Sequence, residues 1–126
     1  MEITGKWNST KYPGITGTIK FIFTHEFDKN SSVVCDCIME YDDNSSFSPG
    51  KINEYKLECA YTDKALDGEH RIVARDIDFN VKQYFTFTFG SKDLKRWSGF
   101  GACVYPCDVI SLILSTKEEH KNVLIN

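Results

Sequence analysis

The chain alternates apolar and polar residues with a period of two along nearly its whole length. In residues 18–27 the odd-numbered positions are isoleucine, phenylalanine and histidine, whereas the even-numbered positions are mostly polar. Residues 33–42, 54–61 and 81–89 repeat this pattern. Because successive side chains of a strand point to opposite faces of a sheet, each segment is predicted to be a strand with one buried and one wet face.

Shorter alternating stretches at residues 3–10, 70–79, 96–105 and 109–116 predict four further strands. Pro, Gly, Asn, Asp and Ser cluster between the segments, where they favour short turns. About eight antiparallel strands in this order predict an all-β fold, an antiparallel up-and-down β-barrel, because a meander of this length removes its exposed edges by closing. A two-sheet β-sandwich satisfies the same alternation and is the alternative.

No repeat or linker divides the chain, so residues 1–126 are predicted to form one domain. Residues 91–96 are predicted to form one helical turn, with Ser91 or Asp93 as its cap. The tail, residues 117–126, is expected to be a short helix or a frayed end. The apolar runs are far shorter than the roughly 20 residues of a membrane-spanning helix, so the protein is not expected to span a membrane.

Composition narrows the classes of partner and the compartment. The net charge is -3, which argues against nucleic acid as a partner. The first residues lack the basic and apolar regions of a signal peptide, so a cytoplasmic location is expected. Glycosylation sequons begin at Asn8, Asn30 and Asn44, and they keep secretion with a removed leader as the alternative.

The opening Gly5-Lys6-Trp7 has a Gly-x-Trp signature on a first strand. It resembles the start of calycin barrels, the superfamily of lipocalin, fatty-acid-binding and avidin-type proteins. The resemblance implies that Trp7 closes one end of the barrel beneath a basic residue from a late strand, either Arg96 or Arg75. The chain does not follow the avidin-type pattern of binding residues after Trp7, so biotin binding is not expected.

An eight-stranded barrel is just wide enough to be filled by side chains or to hold one small ligand. Such an interior predicts a non-enzymatic protein that binds a small apolar or aromatic molecule, with tyrosine hydroxyls and an imidazole as orienting groups. The alternative is a solid aromatic core without a cavity. The predicted ligand contacts are Phe23, His25, Tyr41, Tyr55, Leu57, Tyr61, Phe87 and Trp97.

The cysteines and histidines do not form a familiar catalytic or metal-binding motif. Cys35 and Cys37 share one strand face, and with Cys59, Cys103 or His25 from neighbouring strands they have the ligand types of a zinc site. However, Cys-x-Cys within a strand is not a usual zinc motif. Small buried hydrophobes are therefore the favoured interpretation, and neither metal nor cofactor is expected. Cys103 and Cys107 flank a bend and could be bridged in an oxidising compartment. No nucleophile motif or phosphate-binding loop indicates an enzyme.

The second functional hypothesis is a protein-protein interaction module with a solid core. Ile22, Val34 and Ile38 are predicted to point outward from neighbouring strands. An apolar patch of this kind is rarely left bare by a monomer, so it predicts a homo-oligomer or a partner-binding surface.

Overall fold

Eight strands close into a β-barrel within residues 1–23, 32–63, 68–77, 85–103 and 108–117, the ranges that the computed structural model describes. In chain order they are β1 (Glu2–Ser9), β2 (Thr16–Phe23), β3 (Ser32–Tyr41), β4 (Ile52–Thr62), β5 (His70–Asp76), β6 (Phe85–Ser91), β7 (Arg96–Cys103) and β8 (Asp108–Lys117). Across these ranges no helix has the length and apolar character needed to cross a membrane.

Each strand pairs antiparallel with the next one, and β1 pairs with β8 to close the circle. The closing ladder runs from Glu2 opposite Lys117 to Ser9 opposite Ile110. The predicted all-β, up-and-down barrel is therefore confirmed, and the sandwich alternative is excluded because one continuous sheet joins the first and last strands. The observed strands follow the predicted segments closely. The predicted positions 24–27, 78–79, 81–84 and 104–105 lie outside the described residues, as do positions 118–126 of the tail.

The predicted helical turn at residues 91–96 is wrong. Residues 92–95 form bends, and Leu94 adopts a left-handed backbone conformation with a φ of 63°. The two proposed caps do accept backbone hydrogen bonds: the Ser91 hydroxyl from the Leu94 N–H, and the Asp93 carboxylate from the Lys95 and Arg96 N–H groups. These bonds stabilise a tight β6–β7 connection, because a residue with positive φ reverses the chain instead of propagating a helix.

The core consists of the inward faces of all eight strands, as the alternation predicts. Its centre is occupied by phenylalanine rings: the Phe21 ring centroid lies 5.3 Å from that of Phe87 and 4.9 Å from that of Phe89. All three side chains are almost fully buried. Tyr41 and Tyr55 are only half-buried, although both point inward. The middle of the barrel is thus packed with side chains.

The two ends of the barrel, the Ser9 end and the Met1 end, differ. At the Ser9 end, β1, β3, β5 and β7 finish and the even-numbered strands begin. At the Met1 end the reverse holds, and the amino group of Met1 donates a hydrogen bond to the Phe23 carbonyl. Antiparallel connectivity therefore brings residues that are remote in sequence, such as Trp7, Tyr41, Phe85 and Cys103, to one end.

Candidate ligand-binding cavity

A cavity of about 450 Å³ lies at the Ser9 end of the barrel. The residues that line it are mainly aromatic and aliphatic: Trp7, Tyr12, Ile15, Met39, Tyr41, Phe47, Phe85, Cys103, Asp108 and Ile110. They come from strands β1, β3, β6, β7 and β8 and from the β1–β2 and β3–β4 connections. Pockets that hold small molecules have this size and this kind of apolar lining.

Trp7 forms one wall because glycine faces it on the neighbouring strand. Trp7 lies opposite Gly17 in the β1–β2 ladder, and the indole covers the position that a Cβ atom of Gly17 would take. The indole Nε1 donates a hydrogen bond of 3.1 Å to the Thr18 carbonyl. Tyr41 meets the indole edge to face, with ring centroids 5.0 Å apart and planes at 89°. Both rings are thereby fixed in orientation, and they present a rigid aromatic surface to the cavity.

The inner boundary of the cavity is formed by Phe85. Its ring stacks on that of Phe87, with centroids 5.2 Å apart and planes at 11°, and it meets the Tyr55 ring at 5.6 Å. Phe87 in turn contacts Phe21 in the fully packed centre. Phe85 thus separates the cavity from the solid part of the core.

The outer rim is formed by the β1–β2 and β3–β4 connections, which are held together. The Ser46 N–H donates to the Gly14 carbonyl at 2.9 Å, and the Asp42 N–H donates to the Thr16 carbonyl at 3.0 Å. Phe47 lies on this rim with its ring centroid 6.0 Å from that of Tyr41, and its side chain is 55% exposed. A phenylalanine with this exposure at the edge of an apolar cavity is an available contact for a ligand.

Asp108 is the one charged side chain among the described residues that line the cavity. Its carboxylate accepts hydrogen bonds from the Ser9 hydroxyl at 2.7 Å and from the Val109 N–H at 2.8 Å. Burial, followed by the nearby Cys103 and Asp108 side chains, raises the pKa of Tyr41 above its ordinary value. The Tyr41 hydroxyl therefore stays protonated at neutral pH, and the cavity combines an apolar body with one negative group.

The structure does not bring the predicted ligand contacts together at one site. Tyr41 lines the cavity, whereas Tyr55 is not part of the lining and contacts the ring of Phe85. Leu57 and Phe87 are fully buried in the packed centre. The positions of Phe23, Tyr61 and Trp97 along their strands place these residues at the Met1 end instead. His25 lies outside the described residues.

At the Met1 end the polar groups of two predicted contacts, Tyr61 and Trp97, form hydrogen bonds within the barrel. The Tyr61 hydroxyl lies 2.6 Å from Nδ1 of His70, and the two rings are parallel. Nε1 of Trp97 donates to the Thr116 hydroxyl at 2.8 Å. These hydrogen bonds satisfy the polar atoms of large buried rings. Tyr61 and Trp97 therefore have a structural role in the barrel.

Sequence reasoning missed much of the lining, for a physical reason. Tyr12, Ile15 and Phe47 lie in connections, where no period distinguishes a residue that turns inward from one that turns to solvent. Asp108 begins β8, and the alternation gave no sign that it faces the cavity. The signal that was present is compositional, because large apolar residues are unusual in turns rich in Pro, Gly and Ser.

The expected pairing of Trp7 with Arg96 does not occur. Arg96 begins β7 at the Met1 end, whereas Trp7 lies near the Ser9 end. The Arg96 side chain is 88% exposed, and its Nε lies 3.7 Å from the Asp93 carboxylate. Arg75 alternates outward and is exposed to solvent. The ring that packs against the Trp7 indole is that of Tyr41.

The inward cysteines are packed in the core. The Sγ atoms of Cys35 and Cys59 are 3.1 Å apart. The hydrogen bond to Cys59, followed by burial, raises the pKa of the Cys35 thiol far above its ordinary value, and burial raises the pKa of Cys37. In the described parts of the chain, no group of three or more His, Cys, Asp or Glu side chains is placed to hold a metal ion. Cys107, the proposed partner of Cys103, lies outside those parts.

The predicted outer patch is interrupted by charge. Ile22, Val34 and Ile38 point outward as expected, but Asp36 lies between them, opposite Ile22 in the β2–β3 ladder. Asp36 forms an ion pair of 2.6 Å with Lys56. More exposed apolar side chains occur elsewhere on the outer surface: Phe100 on β7 is 59% exposed and Ile113 on β8 is 70% exposed.

Comparison of the chain with protein-family models, with curated proteins and with solved structures gives no match.

Proposed function

We propose that the protein binds a small apolar or aromatic molecule in the cavity at the Ser9 end of the barrel, without transforming it chemically. The observation that carries the proposal is the cavity itself, about 450 Å³ in volume and lined by aromatic and aliphatic side chains beside a solid core. Sites of roughly 300–1,000 Å³ bury most of the surface of a small ligand. Ligand selectivity then depends on the hydroxyls of Tyr12 and Tyr41 and on the carboxylate of Asp108, which are polar groups of the lining.

The rigidity of the walls supports binding. Trp7 and Tyr41 are fixed by their mutual contact and by the indole hydrogen bond, so a ligand does not have to order them. Pre-organised walls reduce the entropic cost of association. The exposed ring of Phe47 at the rim would lose contact with water when a ligand covers it, and this burial would contribute to affinity.

The test uses N-phenyl-1-naphthylamine, an uncharged apolar dye whose emission increases in apolar surroundings. We expect saturable enhancement by the wild-type protein. The Ile15→Trp variant should bind the dye weakly, because the added ring fills part of the cavity that Ile15 lines. Absence of saturable enhancement in the wild type, or equal binding by Ile15→Trp, would contradict the proposal.

Two phenylalanines provide a matched pair of variants. Phe47 on the rim and Phe100 on the outer face of β7 are 55% and 59% exposed, so their truncation removes similar solvent-exposed area. Phe47→Ala should reduce dye affinity, whereas Phe100→Ala should leave it unchanged. Equal losses in both variants would indicate binding to the outer surface and would contradict the cavity assignment.

The alternative of an interaction module acting through Ile22, Val34 and Ile38 has less support, because Asp36 and its ion pair with Lys56 divide that patch. The alternative makes a separate prediction: the Ile22→Lys, Ile38→Lys double variant would change the oligomeric mass. We expect native mass spectrometry to show the same oligomeric state for this variant as for the wild type.

A further inference from the structure

We infer that the ligand is cationic: an organic ammonium ion with an apolar tail, whose charge is held between Asp108 and the aromatic rings at the Ser9 end. The inference rests on the proposed function and specifies its ligand class. A cavity that binds a fatty acid differs, because it needs a positively charged or hydrogen-bond-donating group to bind the ligand carboxylate.

The charge balance of the lining is the first argument. Among the described residues that line the cavity, Asp108 is charged and no lysine or arginine is present. Its two hydrogen bonds, from Ser9 and Val109, leave lone pairs on both carboxylate oxygens, since an ionised carboxylate offers about four acceptor sites. A ligand ammonium can therefore pair with Asp108 without displacing its protein partners, whereas a ligand carboxylate would be repelled.

The aromatic composition is the second argument. Trp7, Tyr12, Tyr41 and Phe47 all line the cavity or its rim. The faces of such rings attract cations, and clusters of them bind quaternary ammonium groups. The chain itself provides an example at this end, because the Lys11 Nζ lies 5.3 Å from the centroid of the Tyr12 ring. That face of the Tyr12 ring is therefore already occupied by an ammonium group, which leaves the rings of Trp7, Tyr41 and Phe47 for the charge of a ligand.

The position of the charge is the third argument. Asp108 is the first residue of β8 and is half-buried, so it lies towards the rim. Met39 and Ile110 each lie two residues further into their strands and are buried, so they form an apolar interior. A ligand with its charged group near the rim and its tail directed inward satisfies both regions. It buries its apolar tail without taking its charge into the packed core, where desolvation would be costly.

The test compares three ligands that share a decyl chain and differ in charge: decyltrimethylammonium, 1-decanol and decanoate. Binding is read from the emission of Trp7 in the Trp97→Phe variant, which removes the second tryptophan at the opposite end of the barrel. We expect the ammonium ligand to bind about tenfold more tightly than the alcohol, and decanoate to bind most weakly. The advantage of the ammonium ligand should shrink with added salt, because the ion pair near the rim is screened.

Two variants that remove the same charge separate a local effect from a general one. Asp108→Asn should reduce ammonium affinity by roughly threefold to tenfold and leave alcohol affinity unchanged. Asp43→Asn, at an exposed position of the β3–β4 connection, should change neither affinity. If Asp108→Asn does not fold, the ranking of the three ligands and its salt dependence in the Trp97→Phe protein decide the question.

The possible failures are distinguishable. Equal affinities for decyltrimethylammonium and decanol, or tighter binding of decanoate, would overturn the inference while leaving apolar binding in place. Equal effects of Asp108→Asn and Asp43→Asn would also overturn it, because long-range charge would then explain the preference. Failure of all three ligands to change Trp7 emission would overturn both the inference and the proposed function.

Discussion

Trp7 lies across Gly17, and the indole occupies the space that any larger residue at position 17 would need. This relationship joins the Gly-x-Trp signature on β1 to a second glycine on β2. It explains how a large ring can lie flat against the sheet and still face a cavity. The wall formed by Trp7 therefore depends on a residue that has no side chain.

The first prediction concerns Gly17. In Gly17→Ala the new methyl group would clash with the indole and with the Glu40 carbonyl, so we expect a loss of about 1–3 kcal/mol in unfolding free energy and a shift in Trp7 emission. Gly90→Ala is the control, because its methyl group would lie 2.6 Å from the far end of the Glu69 side chain and 3.2 Å from the nearest backbone atom, the His70 carbonyl oxygen. Urea titration followed by fluorescence measures both variants. Equal destabilisation by the two would contradict the specific role of Gly17.

The second prediction separates the packed core from the cavity. Phe87→Ala should destabilise the protein by about 3–5 kcal/mol, because this ring is fully buried against Phe21 and Phe85. Phe47→Ala should cost about 0.5 kcal/mol or less, because its ring is 55% exposed. Chemical denaturation gives both values. A large loss for Phe47→Ala would mean that the rim contributes to folding and not mainly to binding.

The third prediction is a loss of stability at alkaline pH. Burial raises the pKa of Cys37, whose ordinary value is 9.0, so above about pH 9 the unfolded chain loses a proton that the folded protein keeps. The contribution of Cys37 to the unfolding free energy should therefore be constant below that pH and fall as the pH rises further. Cys35 contributes in the same direction, because its hydrogen bond to Cys59 and its burial raise its pKa. Urea unfolding midpoints across this range provide the measurement.

The control for the alkaline effect is Cys37→Ala. The variant is expected to be less stable at neutral pH because it leaves a small void, but its stability should fall less steeply with rising pH. An unchanged slope would show that other groups, such as tyrosines, cause the alkaline loss.

The fourth prediction concerns the β6–β7 turn at acid pH. Hydrogen bonds from the backbone N–H groups of Arg96 and Lys95 lower the pKa of Asp93 to about 2 from an ordinary 3.8. The carboxylate therefore stabilises the fold above the higher value, and this contribution is lost as the pH falls towards the lower one. Asp93→Ala should reduce the thermal midpoint at neutral pH, and the difference from the wild type should narrow in acid. A difference that does not depend on pH would contradict this assignment.

The fold was predictable because period-two alternation records a property that every strand shares. The inward positions on β2, β3 and β6 follow directly from the pattern, and the turn residues mark the connections between strands. Closure followed from the number of strands and from the cost of exposed edges. The helical turn at residues 91–96 failed because cap residues such as Ser91 serve a tight turn as well as a helix.

The location of the site was less predictable, because alternation assigns a residue to a face and not to a depth along the barrel axis. Tyr41 and Tyr61 both point inward, yet one lies beside the cavity and the other bonds to His70 at the far end. The resemblance to calycin barrels implies that Arg96 lies beside Trp7, whereas the directions of β1 and β7 put the two residues at opposite ends. The depth of a residue along the barrel axis follows from the direction of its strand and from the antiparallel register with the neighbouring strands, and not from the alternation.

The pairing of Glu2 with Lys117 belongs to the ladder that joins the first strand to the last and so closes the barrel. Seven ladders join consecutive strands and form as local hairpins, whereas the β1–β8 ladder closes a loop of almost the entire chain. Its entropic cost is the largest of the eight, so it should be the last to form during folding and the first to open. A permuted protein with the two ends tethered and the chain cut in another hairpin should reach the same barrel by a different folding order.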